Sequence, residues 1–377
     1  MGPDGGIGRH AGLKILWPLR PCRFDPGSGY IISFRMTIDL RSDTITRPTP
    51  EMLEFMLSAP VGDDVFGEDP SVNRLEEYAA ALFGMEAALF CPSGTMSNQI
   101  AIKVQTQPGD EVICDEGAHV HYYEGGGIAF NSGCTTRTLK GFRGVFTADQ
   151  LKESLRPSDV HFPRTSFVSI ENSCNRGGGK IFDFSEIEKI RAVCNEHGLK
   201  LHLDGARLFN AIVAEGKSPR EFGKLFDSIS ICLSKGLGAP VGSVLLGSDQ
   251  MIRQAKRIRK VLGGGMRQAG VIAAAGLYAL QNNVDRLSVD HHVAKSIATL
   301  LTQTDFVSGV LPVETNIIVF ELKDGIEISN FLNYLKELEI LAFQVSPKQV
   351  RFVTHLDMPK TAITAIEDAL NSYSSSL

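Results

Sequence analysis

Apolar residues recur at helical spacing over 50–57 and 71–83, and Asp69-Pro70-Ser71 supplies a start signal for the second of these helices. Beyond them, short apolar runs alternate with helical stretches. Residues 87–90, 111–114, 167–170, 199–203, 228–233 and 242–246 read as strands, whereas 97–105, 185–197 (closed by Gly198) and the basic stretch 250–261 read as helices. Such alternation predicts an α/β domain built on a largely parallel sheet. A helix-rich tract over 266–302 leads out of it. Residues 316–321, 328–338, 350–354 and 360–371 then follow a β-α-β-α order, which predicts a smaller C-terminal α+β domain. The expected organisation is an extension (1–35), a large domain with an N-terminal arm (36–283) and a small domain (284–377), without internal repeats or low-complexity tracts.

Composition narrows the function classes. A chain of 377 residues accommodates two domains at roughly 100–200 residues each and a substantial core. With 38 Lys and Arg against 43 Asp and Glu, the net charge of −5 offers no broad basic footprint for nucleic acid or an anionic membrane. The longest apolar runs, such as 271–280, fall far short of the ~20 residues a membrane span needs. Seven scattered cysteines (22, 91, 114, 134, 174, 194 and 232) form no CxxC pair and read as reduced thiols of a cytoplasmic protein, with no zinc site. The first 35 residues, rich in Gly, Pro and Arg, lack the apolar core of a secretory signal. An organelle transit peptide is one reading. The favoured one is that translation begins at Met36, because Arg23-Phe24-Asp25-Pro26-Gly27 can be encoded by a string resembling the TΨC arm of a tRNA gene.

Two apparent phosphate motifs fail on spacing. Gly216-Lys217-Ser218 ends like a P-loop but has Ala211 where the first glycine is required, and Gly236-Leu237-Gly238 finds its third glycine one residue late, at Gly242. The stronger signals are two strand ends. One apolar run closes in Asp204-Gly205-Ala206-Arg207 and another in Ser234-Lys235-Gly236, at the sheet edge where α/β proteins place ligands. Alone, the lysine is a loop residue. Together, an amine able to form a Schiff base and a carboxylate able to keep a pyridine nitrogen protonated fit a pyridoxal phosphate site. Ser93-Gly94-Thr95, between a strand and a helix, can cradle the phosphate on first-turn amides, although singly it reads as an ordinary N-cap.

From about residue 36 onward the chain resembles the low-specificity L-threonine aldolases, fold-type I pyridoxal phosphate enzymes. The resemblance is carried by the run from Asp39 to Thr44, the run from Asp63 to Pro70, Ser93-Gly94-Thr95, Gly117-Ala118-His119, the run from His161 to Thr165, Asp204-Gly205-Ala206-Arg207, Ser234-Lys235-Gly236, the run from Gly263 to Gln268 and the run from Arg351 to Asp357. It implies a transferase-like large domain and a retro-aldol cleavage of L-threonine and L-allo-threonine to glycine and acetaldehyde. In that reading Lys235 carries the cofactor, Asp204 faces its ring nitrogen, and His119 stacks on the ring. Ser93, Gly94 and Thr95, joined by Lys260 and Arg267 from a neighbouring subunit, hold the phosphate. Arg207 lies against both cofactor and substrate; Arg207, Arg351 and Ser42 bind the substrate carboxylate, and Tyr123 tunes diastereomer preference. His119 and His161 are the candidate bases. The resemblance further implies a homotetramer with shared sites and no metal. Within the Lys260 helix, Arg253, Lys256, Arg257 and Arg259 read as a solvated face. The alternatives are another lyase of the same fold acting by β-elimination, or a non-catalytic scaffold; the latter predicts a damaged lysine or cradle, and neither is seen.

Overall fold

A computed structural model describes residues 37–376; the expectations for 1–35, for a start at Met36, and for Cys22 and His10 lie outside the described residues. Residues 37–376 pack as one compact unit. Its larger sheet has seven strands: β1 (Ala87–Cys91), β2 (Glu111–Asp115), β3 (Thr135–Leu139), β4 (Thr165–Glu171), β5 (Lys200–Gly205), β6 (Ser228–Cys232) and β7 (Ser243–Gly247). Their order is β1-β7-β6-β5-β4-β2-β3. Only β7 runs antiparallel to its neighbours, so the other six are parallel to one another and their carboxyl ends share one edge. β3 went unpredicted: as an edge strand with the polar sequence Thr135-Thr136-Arg137-Thr138 it has no apolar run to find.

The central strands alternate strictly between two faces. On one, Leu201, Leu203, Ile229 and Ile231 enter the main apolar core, which draws on residues from Met52 to Leu287. On the other, His202, Asp204, Ser228 and Ser230 are all buried and all polar. The helix Gly94–Gln105, capped at its start by Ser93 Oγ accepting the Met96 amide, packs against β6 and β7. It brings Asn98 and Gln105 to this polar layer.

A second sheet, β8 (Val307–Val310), β9 (Ile317–Leu322), β10 (Phe343–Ser346) and β11 (Gln349–Val353), is antiparallel, in the order β10-β11-β9-β8. Its core combines residues 294–373 with Ile38 and Leu40. Those two come from the N-terminal arm, whose Ile38–Asp39 pairs in parallel with Ile340–Leu341. The expected boundary at 283/284 falls between the helices Gly270–Asn282 and Leu287–Thr302.

The solvated-face reading of the helix Asp249–Val261 is corrected at one position. Arg259 is buried, donating to the Phe90 carbonyl at 2.7 Å and to Asp64 at 2.7 Å. Spacing marked it as one more cation in a basic run; its partners lie 169 and 195 residues away.

Candidate active site

The shared strand edge gathers the chemistry. Asp204, buried at the end of β5, accepts the Ala206 amide at 3.2 Å and the Asn98 side-chain amide at 2.9 Å. Half-buried Lys235 follows the adjacent β6. Its turn is tied down: the Lys235 carbonyl accepts from Thr46 Oγ1 (2.9 Å) and the Gly238 amide (2.8 Å), and the next two carbonyls from Arg286 (3.2 Å) and Asn283 (2.7 Å).

His119 opens a short helix after β2. Its Nδ1 donates to Glu124 Oε1 at 2.9 Å, and its amide donates to Glu171 at 2.9 Å. Burial alone pushes the imidazole's pKa down, but the Glu124 hydrogen bond and the charges of Asp204 and Glu124 outweigh it and leave the pKa raised. The Glu171 carboxyl is raised by burial and by the Asp204 charge, against two backbone amides that hold it ionised. His119, Glu124 and Asp204 place three possible metal ligands within 4.8 Å of one another. Yet Glu124 already accepts from Asn98, Gln99 and His119, and Asp204 from Asn98 and Ala206.

A second group lies at the seam with the small sheet. Arg207 forks onto Asp43 at 2.8 and 2.6 Å, both side chains buried. Arg351, on β11, donates to Asn175 Oδ1 at 3.1 Å and to the Arg41 carbonyl at 3.0 Å, and Arg207 reaches the same Asn175 oxygen at 3.4 Å. Burial, together with repulsion from Arg207, lowers the Arg351 pKa, and its Nε is buried without a partner.

A profile of the beta-eliminating lyases matches residues 39–324. The chain belongs to the beta-eliminating lyase family. Among relatives, it is 43% identical over 326 residues to low-specificity L-threonine aldolase 1 of Arabidopsis thaliana (85% of this chain, 91% of that one). It is 43% identical over 331 residues to the low specificity L-threonine aldolase of Escherichia coli K12 (87% and 97%). Among solved structures, the threonine aldolase of Leishmania major superposes with a TM-score of 0.79 at 20% identity, covering 89% of this chain and 99% of that one. A putative L-allo-threonine aldolase of Listeria monocytogenes gives 0.76 at 24%, covering 89% and 96%. These two likenesses speak to the fold.

In this beta-eliminating lyase the structure separates one expected site residue from the rest. His161 precedes β4, at the opposite end of that strand from Glu171 and thus roughly 20 Å from the ligand edge at ~3.3 Å per residue. Its side chain is 81% exposed and bonds Asp159, so within this chain it stands apart from the group around His119, Asp204 and Lys235. Ser93 and Thr95 are exposed at the open start of their helix, and a Cβ on Gly94 would stand 3.3 Å from Ser243 Oγ. Ser42 caps a short 3-10 turn and accepts from Thr44. Tyr123 stacks obliquely on His119 at 5.6 Å, and its hydroxyl accepts from Arg176. Lys260 is exposed, whereas exposed Arg267 pairs with Asp63 at 2.9 Å.

Sequence reasoning gave no role to Asp43, Asn98, Glu124, Glu171 or Asn175. For Glu171 a signal was available: an acid directly after a buried strand, as at Asp204. Asn98 and Glu124 carry no such mark, being a helix-interior amide and a loop acid whose partners come from other elements.

Proposed function

We propose that the protein is a pyridoxal phosphate-dependent aldolase that cleaves L-threonine and L-allo-threonine to glycine and acetaldehyde. The observation that carries this is a buried carboxylate, Asp204, held by neutral amides one strand from the lysine-bearing turn. Neutral donors leave its charge uncancelled and available to a cationic ring nitrogen. The cofactor suits the residues present. Asp204 would face the ring, Lys235 would take the aldehyde, and Ser93, Gly94 and Thr95 would hold the phosphate on first-turn amides that have no acceptor within the helix.

Bound there, the cofactor supplies an electron sink for the bond broken at the amino acid's α-carbon. The chain's own groups do the rest. Buried Arg207 takes both oxygens of the one buried carboxylate here, Asp43, while half-buried Arg351 binds only neutral acceptors and its Nε stands unpaired. That surplus positive charge suits a carboxylate ligand, the substrate's own, with Ser42 beside it. His119 is the group to take the β-hydroxyl proton, its basicity raised by Glu124. Asp204 would hold the proton on the ring nitrogen, and Tyr123, against His119, would border the substrate's β-substituent.

The same reading makes the enzyme a cytoplasmic homotetramer in which Lys260 and Arg267 approach a neighbouring subunit's phosphate. Exposed Leu57, Phe66 and Val261 supply apolar surface for such contacts. No helix among the described residues is long and apolar enough to cross a membrane.

The test is product analysis with purified protein. Acetaldehyde and glycine from L-threonine, abolished by Lys235→Ala, are expected. Release of 2-oxobutyrate instead would assign β-elimination and reject the aldolase.

A further inference from the structure

Behind Asp204 the polar layer forms one continuous chain of hydrogen bonds. Asn98 Nδ2 lies 2.9 Å from Asp204 Oδ2 and 2.9 Å from Glu124 Oε1. Both are acceptors, so the nitrogen sits on that side and spends one hydrogen on each. Asn98 Oδ1 must then face the other way, where His202 Nε2 lies at 3.1 Å. An oxygen cannot donate, so Nε2 carries the proton. His202 is fully buried, and burial pushes its pKa down to about 4, so the ring is neutral and Nδ1 accepts. Ser228 Oγ, 2.8 Å from Nδ1, provides that hydrogen and itself accepts from Gln105 at 2.8 Å. Every orientation in the chain is fixed by the one before it.

We propose that Asn98, locked in orientation by His202, is a positioning residue that divides its two amide hydrogens between Asp204 and Glu124 and so sets the proton affinity of the whole His119–Glu124–Asp204 cluster. This rests on the cofactor site argued above but adds to it a residue that touches neither cofactor nor substrate. Two buried carboxylates this close repel each other; a shared neutral donor eases that repulsion without supplying a charge that would compete with the ring or His119. The other charges facing the cluster are Lys235, which opposes a proton on His119, and Glu171, which is coupled through charge to Asp204 and His119.

Three substitutions test it. Asn98→Leu keeps bulk and removes both donors. His202→Leu frees the carboxamide to turn, and His202→Gln retains a donor near the Nε2 position. In cofactor-free protein with 15N-labelled histidine, loss of the donors raises the cluster's proton affinity whichever atom takes the proton. The His119 titration midpoint of Asn98→Leu is therefore expected to rise by about one pH unit. In protein loaded with pyridoxal phosphate, the pH midpoint of the visible absorbance change is expected to rise as well, because a less protonated ring draws less charge from the nitrogen it shares with Lys235. His202→Leu should move both midpoints the same way, and His202→Gln should leave both near wild type.

If Asn98→Leu keeps the wild-type Tm and moves neither midpoint, the inference is overturned. If Asn98→Leu does not fold, the His202 pair decides, and identical behaviour of Leu and Gln overturns it. Should the wild type acquire no Lys235-dependent visible band, the functional reading falls alone, and the histidine titration still decides whether Asn98 governs the cluster.

Discussion

At His119 burial and a neighbouring carboxylate pull one imidazole in opposite directions, and the carboxylate wins. Because the pKa is raised, the neutral form that can accept a proton appears only at higher pH than for an ordinary histidine. The acidic limb of kcat/KM is thus expected to sit above the usual histidine range, with activity rising as pH climbs through it. Glu124→Gln removes the charge that holds the proton, so its limb should shift to lower pH in a pH–rate profile. At the carboxylate end, Arg351→Lys keeps the charge but loses the planar fork. A rise in KM for threonine of roughly tenfold or more, with a smaller change in kcat, is expected from steady-state kinetics, since charge-assisted hydrogen bonds contribute ~1.5–3 kcal/mol.

β1 shows how elements protect the site. It is an edge strand, so the outward backbone groups of Phe90 need partners from elsewhere. Glu76, from the helix Pro70–Phe83, accepts the Phe90 amide at 2.8 Å, and Arg259 donates to its carbonyl at 2.7 Å. The strand feeding the Ser93 turn is therefore fixed from two helices. Burial pushes the Glu76 carboxyl up to about 7 from its ordinary 4.5. Between those values the folded chain keeps a proton that the unfolded chain has lost, so this group makes stability fall as pH rises through that window. Glu76→Gln retains the carbonyl acceptor and has no charge to bury; urea unfolding is expected to show it gaining on wild type at pH 8 relative to pH 5. The same strand marks the limit of what sequence pattern reveals. Asp204 and Lys235 were legible because each ends an apolar run, and the alternation located most strands of the larger sheet. Arg259, Asn98 and Glu124 were not, because their partners come from other elements: Arg259 reaches β1 and Asp64, and Asn98 joins Glu124 to the polar face of β5. His161 is the opposite case: its motif matched, yet chain order already put it before the strand 167–170, at the end away from the ligand edge.

Across the whole molecule, the arm from Ile38 to Thr46 ties the parts together. It pairs with Ile340–Leu341, its Leu40 carbonyl accepts the Val353 amide, its Asp43 neutralises Arg207, and its Thr46 holds the Lys235 carbonyl. Arg207 and hydrogen bonds outweigh the burial that would raise the Asp43 carboxyl, so its pKa is lowered. Asp43→Asn leaves a buried guanidinium without its charge partner and is expected to cost about 3 kcal/mol or more in denaturant unfolding. A separate global probe is thiol reactivity. The six cysteines among the described residues are all buried, and burial raises the thiols of Cys91, Cys114 and Cys194 to about 12. Peptide mapping after alkylation should find those six unmodified in native protein and fully modified once it is unfolded. The arm also constrains how this architecture can be recombined. A chimera that imports residues 284–377 from a cousin would inherit a foreign groove for Ile38 and a foreign neighbour for Asp43 in place of Asn316, which donates to it at 3.3 Å. Such grafts should work only when residues 37–46 travel with the small sheet, making the arm and that sheet a single heritable module.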